Sequence, residues 1–382
     1  MLAQAEDGGK GLKRTLGAGN LIALGVGAII GAGLFVRTAA AAGQAAGPAV
    51  TISFIVAAIG CAFAGLCYAE FAAMIPISGS AYAYSYVTMG ETVAWIIGWA
   101  LIMEYALGAA TVSIAWSEYL NKLLGGGIPY EWSHSPFESV IDAAGVAHHG
   151  IMNAPALIIL LLLTLLLIKG TQESAIVNAI IVFIKVAIVL LFIFIGWKFI
   201  NPANHTPYLI PANQPPVTDA SGKVIADYSG VFKHGWGGVL GGAAIVFFAF
   251  IGFDAVSTAA QEAKNPKRDM PIGILGSLVV CTILYILFGH VLTGVAPWTD
   301  FVDPLKGREA SVAYAISNYM TGYGWLATAV TVAILAGFSS VILVMLMGQS
   351  RVFFSMANDG LLPKVFSDLH PKYRTPYKSN WI

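Results

Sequence analysis

Four ionisable side chains fall within or near the long apolar stretches of this chain. Lys185 lies in the middle of one stretch and Glu104 lies within another. Asp254 directly follows a glycine-broken segment, and Glu70 lies near the end of a further stretch. A charged side chain at the centre of a bilayer costs about 2.5–3.5 kcal/mol even on the most lenient scale. Such residues usually face a cavity or pair with one another, and they mark the path of an ion or a proton.

Lys185 is the most informative of these residues, because it lies too far from the end of its stretch to reach the membrane surface easily. Burial disfavours the charged form of an amine, which makes a buried lysine able to release its proton near neutral pH. Lys185 is therefore a candidate proton carrier. The alternative is a permanent cation held by Glu104, by Asp254 or by the backbone carbonyls of a broken helix.

The acidic residues allow several roles. Glu104 could polarise a binding pocket, accept a substrate ammonium through water or share a proton; the alternative is a helix-to-helix hydrogen bond. Asp254 is expected to brace unwound backbone by accepting its N–H groups. Glu70 and Glu262 lie near the inner ends of apolar stretches, and we assign them to a cytoplasmic gate or to surface pairs.

Glycines interrupt two of the apolar stretches, one in each half of the chain. They are Gly25–Gly33 and Phe247–Asp254. A membrane-spanning helix can lose backbone hydrogen bonds only where the freed groups face protein or a water-filled cavity. Paired interruptions of this kind point to the binding site of a transporter. Close helix packing is the alternative, but a break in each half beside buried charges favours unwinding.

Two broken helices offer complementary chemistry to a zwitterion. The N–H groups at the start of a half-helix attract a carboxylate, and carbonyls freed at the other break attract an ammonium. An amino acid carries one group of each kind. Three aromatic residues beside the second break would wall this pocket and could form a lid, although at least one of them is expected to pack elsewhere: Phe248, Phe250 and Phe253.

Composition identifies an all-α protein that crosses a membrane several times. Hydrophobic residues make up 57% of the 382 residues and charged residues only 10%, against about 25% charged residues in soluble domains. The formal net charge is zero, which gives no indication of a nucleic-acid partner. The three cysteines lie in apolar runs and the histidines are scattered. We therefore predict no disulfide, metal or cofactor.

Eight membrane spans are predicted, and Lys and Arg favour a cytoplasmic N-terminus without a cleavable signal peptide. The predicted location is the plasma or inner membrane. The spans are Gly17–Ala41, Pro48–Ile75, Thr92–Leu120, Pro155–Ile168, Ala175–Phe199, Gly237–Ala260, Ile272–Val295 and Trp325–Met356. The chain divides into a cytoplasmic N-terminus (1–16), a first repeat of five spans (17–200), an extracellular loop (201–235), a partial second repeat (236–356) and a cytoplasmic loop (357–382).

Five spans precede the second glycine break and three begin with it. Because an inverted repeat of five plus five spans needs two more, we expect the reading frame to continue beyond Ile382. The final residues, Ser379–Ile382, resemble the entry to a further span.

Several motifs resemble those of the amino acid–polyamine–organocation (APC) superfamily, and more closely those of the cationic amino acid transporter family and its bacterial homologues. The resemblance covers nearly the whole chain from Leu12. The motifs are Gly27-Ala-Ile-Ile-Gly31-Ala-Gly33-Leu-Phe, Tyr68-Ala-Glu70-Phe, Ile75-Pro-Ile-Ser-Gly79-Ser-Ala-Tyr82, Gly98-Trp-Ala-Leu-Ile-Met-Glu104-Tyr, Phe250-Ile-Gly-Phe-Asp254, Glu262-Ala-Lys-Asn-Pro266-Lys-Arg-Asp-Met-Pro271 and Gly348-Gln-Ser-Arg351 followed by Asp359-Gly-Leu-Leu-Pro363.

This resemblance implies the leucine-transporter fold, with spans one and six unwound around the substrate. It implies that Lys185 stands where sodium-coupled relatives bind an ion, that Glu104 lines the pocket and that the bulk of Met345 limits side-chain space. A methionine there favours small or neutral amino acids over arginine. The implied substrate contacts are backbone groups of Ile29, Ile30, Gly31, Ala32 and Gly33 for the carboxylate, and of Phe248, Phe250 and Ile251 for the amino group.

We predict a secondary transporter for proton-coupled amino acid uptake by alternating access, with Asp254 and Phe253 in structural or gating roles. Its partners would be the amino acid, the proton and the lipid bilayer, and a small single-span membrane protein remains an open candidate. Cationic amino acid transport, exchange and sodium coupling are alternatives within transport, and a membrane amino acid sensor is an alternative outside it. An enzyme is disfavoured because no Ser/Asp/His or metal-ligand set lies at matching depth.

Overall fold

The computed structural model describes residues 14–31, 33–75, 77, 79–141, 147–218, 222, 224–303 and 311–381. Its elements are almost entirely helical. The α-helices are α1 (Ala18–Ile29), α2 (Thr38–Ala41), α3 (Val50–Met74), α4 (Ala81–Met89), α5 (Glu91–Leu123), α6 (Tyr130–Ser133), α7 (Ala154–Lys169), α8 (Thr171–Gly196), α9 (Gly235–Phe247), α10 (Pro266–Val295), α11 (Ser311–Tyr319), α12 (Gly324–Asn358) and α13 (Tyr377–Trp381).

Two short antiparallel hairpins lie in the loops that join these helices. Strand β1 (Ser139–Ile141) pairs with β2 (Ala147–His149), and β3 (Val217–Thr218) pairs with β4 (Val224–Ala226). The second hairpin belongs to the long loop between α8 and α9, which contacts the chain around Gly43 and Thr51. The Tyr228 hydroxyl donates to the Gly43 carbonyl at 2.6 Å, and the hydroxyls of Tyr208 and Thr51 lie 2.6 Å apart.

Six helical segments of the described chain are long and apolar enough to cross a membrane. Two of the eight predicted spans, the first and the fourth, contain shorter apolar helices, α1 and α7. The first is short because it is interrupted after Ile29, and its second half continues into the next segment. The six segments are Gly33–Met74, Glu91–Leu123, Ile176–Phe199, Gly235–Glu262, Pro266–Val295 and Gly324–Asn358.

Large apolar side chains cover the outer surface of these helices. Phe63, Phe183 and Phe194 are more than two-thirds exposed. Such a surface would be unfavourable in water, but lipid tails provide an apolar solvent for it. Inside the bundle, α3 packs against α10, α5 against α12, and α10 against α1. Helix α12 is the most deeply buried of the six spanning segments.

The first break follows α1 directly. Ile30 has an extended backbone (φ −77°, ψ 102°), and the helix resumes at Gly33 as a π-helical turn that ends at Arg37. A side chain at Gly33 would overlap the Cα of Ala249, so only glycine allows the two broken segments to approach so closely. The sequence prediction of unwinding near these glycines is therefore confirmed.

The second break follows α9. A short 3₁₀ turn covers Phe248–Phe250, the backbone is extended at Ile251, and a 3₁₀ helix runs over Asp254–Glu262. Gly252 has φ +108°, a conformation that strongly favours glycine. Both interruptions thus arise from residues that relax the steric limits on the backbone, and they lie next to each other in the bundle.

Backbone hydrogen bonds tie the beginning of the first broken segment to the end of the second. The amides of Thr15 and Leu16 both donate to the Glu262 carbonyl at 2.9 Å, and the Lys264 amide donates to the Leu16 carbonyl at 2.8 Å. Beside this link, the fully buried guanidinium of Arg351 donates to Glu262 Oε1 through Nε at 3.0 Å and through a terminal nitrogen at 2.8 Å. These contacts connect the start of the chain, the second broken segment and α12.

Candidate substrate-binding site

A cavity of about 290 Å³ lies between the two breaks and the facing sides of α5 and α12. A larger groove of about 420 Å³, between the start of α1 and α8, lies away from the breaks and is lined by none of the buried ionisable residues. The first cavity is therefore the candidate site. Its lining residues are Ala28, Ile29, Gly31, Gly33, Glu104, Leu107, Gly108, Thr111, Val112, Phe248, Ile251, Val341 and Met345.

Regular helix spacing explains which side chains α5 and α12 contribute. On α5 the lining residues follow Glu104 at intervals of three and four, and on α12 Val341 and Met345 are four residues apart. Residues three or four apart share one face of an α-helix. Of these residues, the sequence analysis identified only Glu104 and Met345. The same spacing, extended from those two positions, would have identified the others.

Most predicted substrate contacts lie at this cavity. Seven of them line it directly, and Ala32 lies outside the described residues. The Ile30 side chain is fully buried, and its carbonyl accepts a hydrogen bond from Lys185. The seven lining residues are Ile29, Gly31, Gly33, Glu104, Phe248, Ile251 and Met345.

Of the three aromatic residues expected to wall the pocket, only Phe248 lines the cavity. The Phe250 ring is fully buried and packs against the rings of Phe54 and Tyr285, with centroids 6.4 and 5.3 Å away. Phe253 packs edge-on against Tyr68 at 5.7 Å. Consequently, the side chains of Phe250 and Phe253 pack within the bundle and do not line the cavity.

The tyrosine at position 285 joins the two breaks, and sequence reasoning did not identify it. Its hydroxyl lies 2.8 Å from the carbonyl oxygen of Ile29 and 2.9 Å from that of Ala249. Each of these carbonyls belongs to a broken segment. A tyrosine has a single O–H, which is shared between these two buried carbonyl acceptors. Tyr285 therefore links the two broken segments at the candidate site.

We expect Tyr285→Phe to weaken amino acid binding by about tenfold while the protein remains folded. The substitution keeps the ring and its packing but leaves two buried carbonyls without this donor, a loss of about 1–3 kcal/mol. Binding isotherms of purified variant and wild type would measure the effect. Tyr314→Phe, a similar change at a tyrosine outside the cavity lining, is the control. Unchanged affinity in Tyr285→Phe would contradict this role.

Lys185 is fully buried on α8 and reaches the first break. Its Nζ donates to the carbonyls of Gly27 at 2.9 Å and Ile30 at 2.7 Å, and to Ser340 Oγ at 2.7 Å. The Ser340 hydroxyl in turn lies 2.8 Å from the Gly27 carbonyl. Three oxygen ligands thus surround the amine, and among the described residues no carboxylate lies within ion-pair distance of it. The sequence suggested Glu104, Asp254 or the carbonyls of a broken helix as partners of a permanent cation at this position. The structure shows the carbonyls.

The two acidic residues occupy different positions. Glu104 lines the cavity. Asp254 lies behind it at the second break, where its carboxylate accepts a hydrogen bond of 2.6 Å from the Tyr105 hydroxyl. Among the described residues, no group of three or more His, Cys, Asp or Glu side chains is arranged to hold a metal ion.

Comparison with known proteins agrees with this architecture. The chain is 44% identical to the branched-chain amino acid permease BcaP of Bacillus subtilis, over all of this chain and 75% of that protein. It is 40% identical to the methylthioribose transporter of the same organism, over 99% and 74% of the two chains. It is 35% identical to the human cationic amino acid transporter 4, over 96% of this chain and 53% of the human one.

The fold resembles that of MhsT, solved in complex with L-phenylalanine, with a TM-score of 0.60 and 13% identity over 97% of this chain and 77% of MhsT. This likeness shows the leucine-transporter fold. The family and the relatives are transporters and not enzymes. The model of the amino acid permease family matches residues 16–382. The chain therefore belongs to the amino acid permease family of the APC superfamily.

Proposed function

We propose that this chain takes up neutral amino acids together with a proton, by alternating access across the cell membrane with its N-terminus in the cytoplasm. The observation that carries the proposal is the shell of three oxygens around the Lys185 amine beside the first break. A protonated amine suits this shell, because it donates to all three oxygens. A neutral amine has two N–H donors instead of three, so its hold on the carbonyls of the first break would weaken.

The geometry of the two breaks supports an amino acid as the substrate. Backbone N–H groups near Gly31 to Gly33 would bind the carboxylate, because the Ile30 N–H is already bonded to the Val26 carbonyl. Backbone carbonyls near Phe248 to Ile251 would bind the ammonium. Glu104, the one ionisable residue among those that line the cavity, would attract the ammonium through water. Asp254 and Tyr105 would brace the second break from behind the cavity.

The lining of the cavity supports a neutral, aliphatic side chain. Apart from Glu104 and Thr111, the lining side chains are apolar or absent, and Met345 restricts the depth on the α12 side. A long cationic side chain would need the space that the Met345 side chain occupies on this side of the cavity. BcaP, with 44% identity over the whole chain, is described as a branched-chain amino acid permease, which agrees with this preference.

The contacts on the inner side support a rocking or hinged motion. The backbone link from Thr15 and Leu16 to Glu262 closes the inner ends of the two broken segments. Access to the cytoplasm would require this link and the Arg351–Glu262 ion pair to separate. Deprotonation of Lys185, by releasing the first break, would favour that separation.

Uptake by the protein in liposomes tests this function. Radiolabelled alanine, leucine and arginine would be supplied with and without an inward proton gradient, in sodium-free buffer. We expect alanine and leucine to accumulate only with the gradient. Accumulation that requires sodium, or accumulation of arginine alone, would overturn the coupling or the substrate preference respectively. Binding without uptake or counterflow would indicate a sensor, and counterflow without net accumulation would indicate an exchanger.

We expect Met345→Ser to improve arginine binding by about tenfold while alanine binding changes little. Removing the thioether lengthens the cavity on the α12 side and adds a hydroxyl to a wall that a long side chain must pass. Competition of unlabelled arginine against labelled alanine would measure the change. Met347→Ser, two residues further along α12 and outside the cavity lining, is the matched control. Equal arginine competition in Met345→Ser and wild type would contradict this account of the pocket.

A further inference from the structure

Arg37 contacts the wall of the candidate site from outside the cavity. Its guanidinium carbon lies 5.2 Å from the centroid of the Phe248 ring. Phe248 lines the cavity, whereas Arg37 does not. A guanidinium over an aromatic face at this distance makes a cation–π interaction. A positive charge therefore lies against an aromatic residue that lines the candidate site.

The chain direction places this charge on the outer side of the site. Arg37 ends the π-helical turn that begins at Gly33, which itself lines the cavity. With the N-terminus in the cytoplasm, this turn runs from the cavity toward the outer face. Helical rise over four residues is about 6 Å. Arg37 consequently lies one turn outside the cavity, at the entrance an external substrate would use.

The guanidinium keeps its charge at the entrance. Arginine remains protonated in proteins, so this positive charge does not depend on pH. Its side chain is exposed, and among the described residues no carboxylate lies within ion-pair distance of it. The nearest charge within the cavity itself is Glu104 on α5, which lies toward the cytoplasmic end of the cavity lining.

We infer that Arg37 is a specificity-determining residue that selects against amino acids with cationic side chains. A neutral amino acid is a zwitterion without net charge and passes the guanidinium with little electrostatic penalty. Lysine or arginine carries a net positive charge and is repelled. For charges about 10 Å apart at an effective dielectric constant near 20, this repulsion changes relative affinity by about tenfold. The inference rests on the proposed uptake of neutral amino acids and adds the group that enforces it.

The test measures how well unlabelled lysine and unlabelled leucine compete with labelled leucine, at low ionic strength on purified, folded protein. Discrimination is the inhibition constant of lysine divided by that of leucine. We expect Arg37→Gln to lower this ratio about tenfold, whereas Arg37→Lys retains it because the charge remains. Lys233→Gln removes an exposed cation from the long outer loop and serves as the matched control with an unchanged ratio. High salt should reduce discrimination in the wild type, because exposed charges are screened.

Phe248→Leu separates charge from packing. It removes the aromatic face but leaves the guanidinium, so we expect weaker binding of both amino acids with lysine still disfavoured. If Arg37→Gln and wild type show the same ratio, or if Arg37→Lys loses discrimination as fully as Arg37→Gln, the inference is overturned. Failure of the wild type to bind leucine would instead overturn the proposed function, so the two failures are distinguishable.

Discussion

Lys185→Ala is expected to abolish accumulation of amino acids driven by a proton gradient, with a loss of at least tenfold relative to wild type. The alanine side chain cannot donate to the carbonyls of Gly27 and Ile30 or to Ser340. It also removes the group proposed to carry the proton. Initial rates of alanine uptake into liposomes, with and without an inward proton gradient, would measure the effect.

Two further variants distinguish proton coupling from loss of structure. Lys185→Arg keeps a donor and a positive charge but cannot release a proton in the physiological range, so we expect binding without gradient-driven accumulation. Lys169→Ala removes a lysine at the end of α7 and should leave uptake unchanged. Normal gradient-driven uptake by Lys185→Ala or Lys185→Arg would remove Lys185 from the mechanism.

Arg351→Met is expected to lower the free energy of unfolding by about 3–5 kcal/mol, because it leaves Glu262 as a buried charge without its partner. Both side chains are fully buried, and the guanidinium donates twice to one carboxylate oxygen. The other carboxylate oxygen has no hydrogen-bond partner among the described residues, so the arginine is the dominant compensation for that charge. Unfolding in a denaturant series, in detergent, would measure the difference.

An ion pair at the surface serves as the control for the buried Arg351–Glu262 pair. Lys378 and Asp368 approach to 2.6 Å, but their side chains are 39% and 47% exposed. Solvent screens such a pair, so Lys378→Met should change stability little. The double variant Arg351→Met with Glu262→Leu should recover much of the loss, because it removes the unpaired charge. Equal destabilisation by Arg351→Met and Lys378→Met would contradict the importance of burial at this pair.

Much of the fold was predictable because its causes are local. A bilayer accepts only long apolar segments with satisfied backbones, which is why hydropathy located the spans. Glycine is the residue that allows close backbone approach at Gly33 and a positive φ at Gly252, and so the breaks were predictable too. Lys185 and Glu104 were predicted to be functional residues because a charged side chain is unfavourable in lipid.

Which groups meet across the bundle became apparent only from the packing of the helices. The carbonyl of Ile30 and the hydroxyl of Ser340 are 155 residues from Lys185 in either direction, and Tyr285 bridges two breaks that lie far apart in the chain. The same holds for Arg351 with Glu262 and for Arg37 over Phe248. The positions of the apolar helices and of their breaks were predictable, since those properties depend on residue type and spacing. Pairing across the bundle depends on how the helices rotate and pack, which no local pattern specifies.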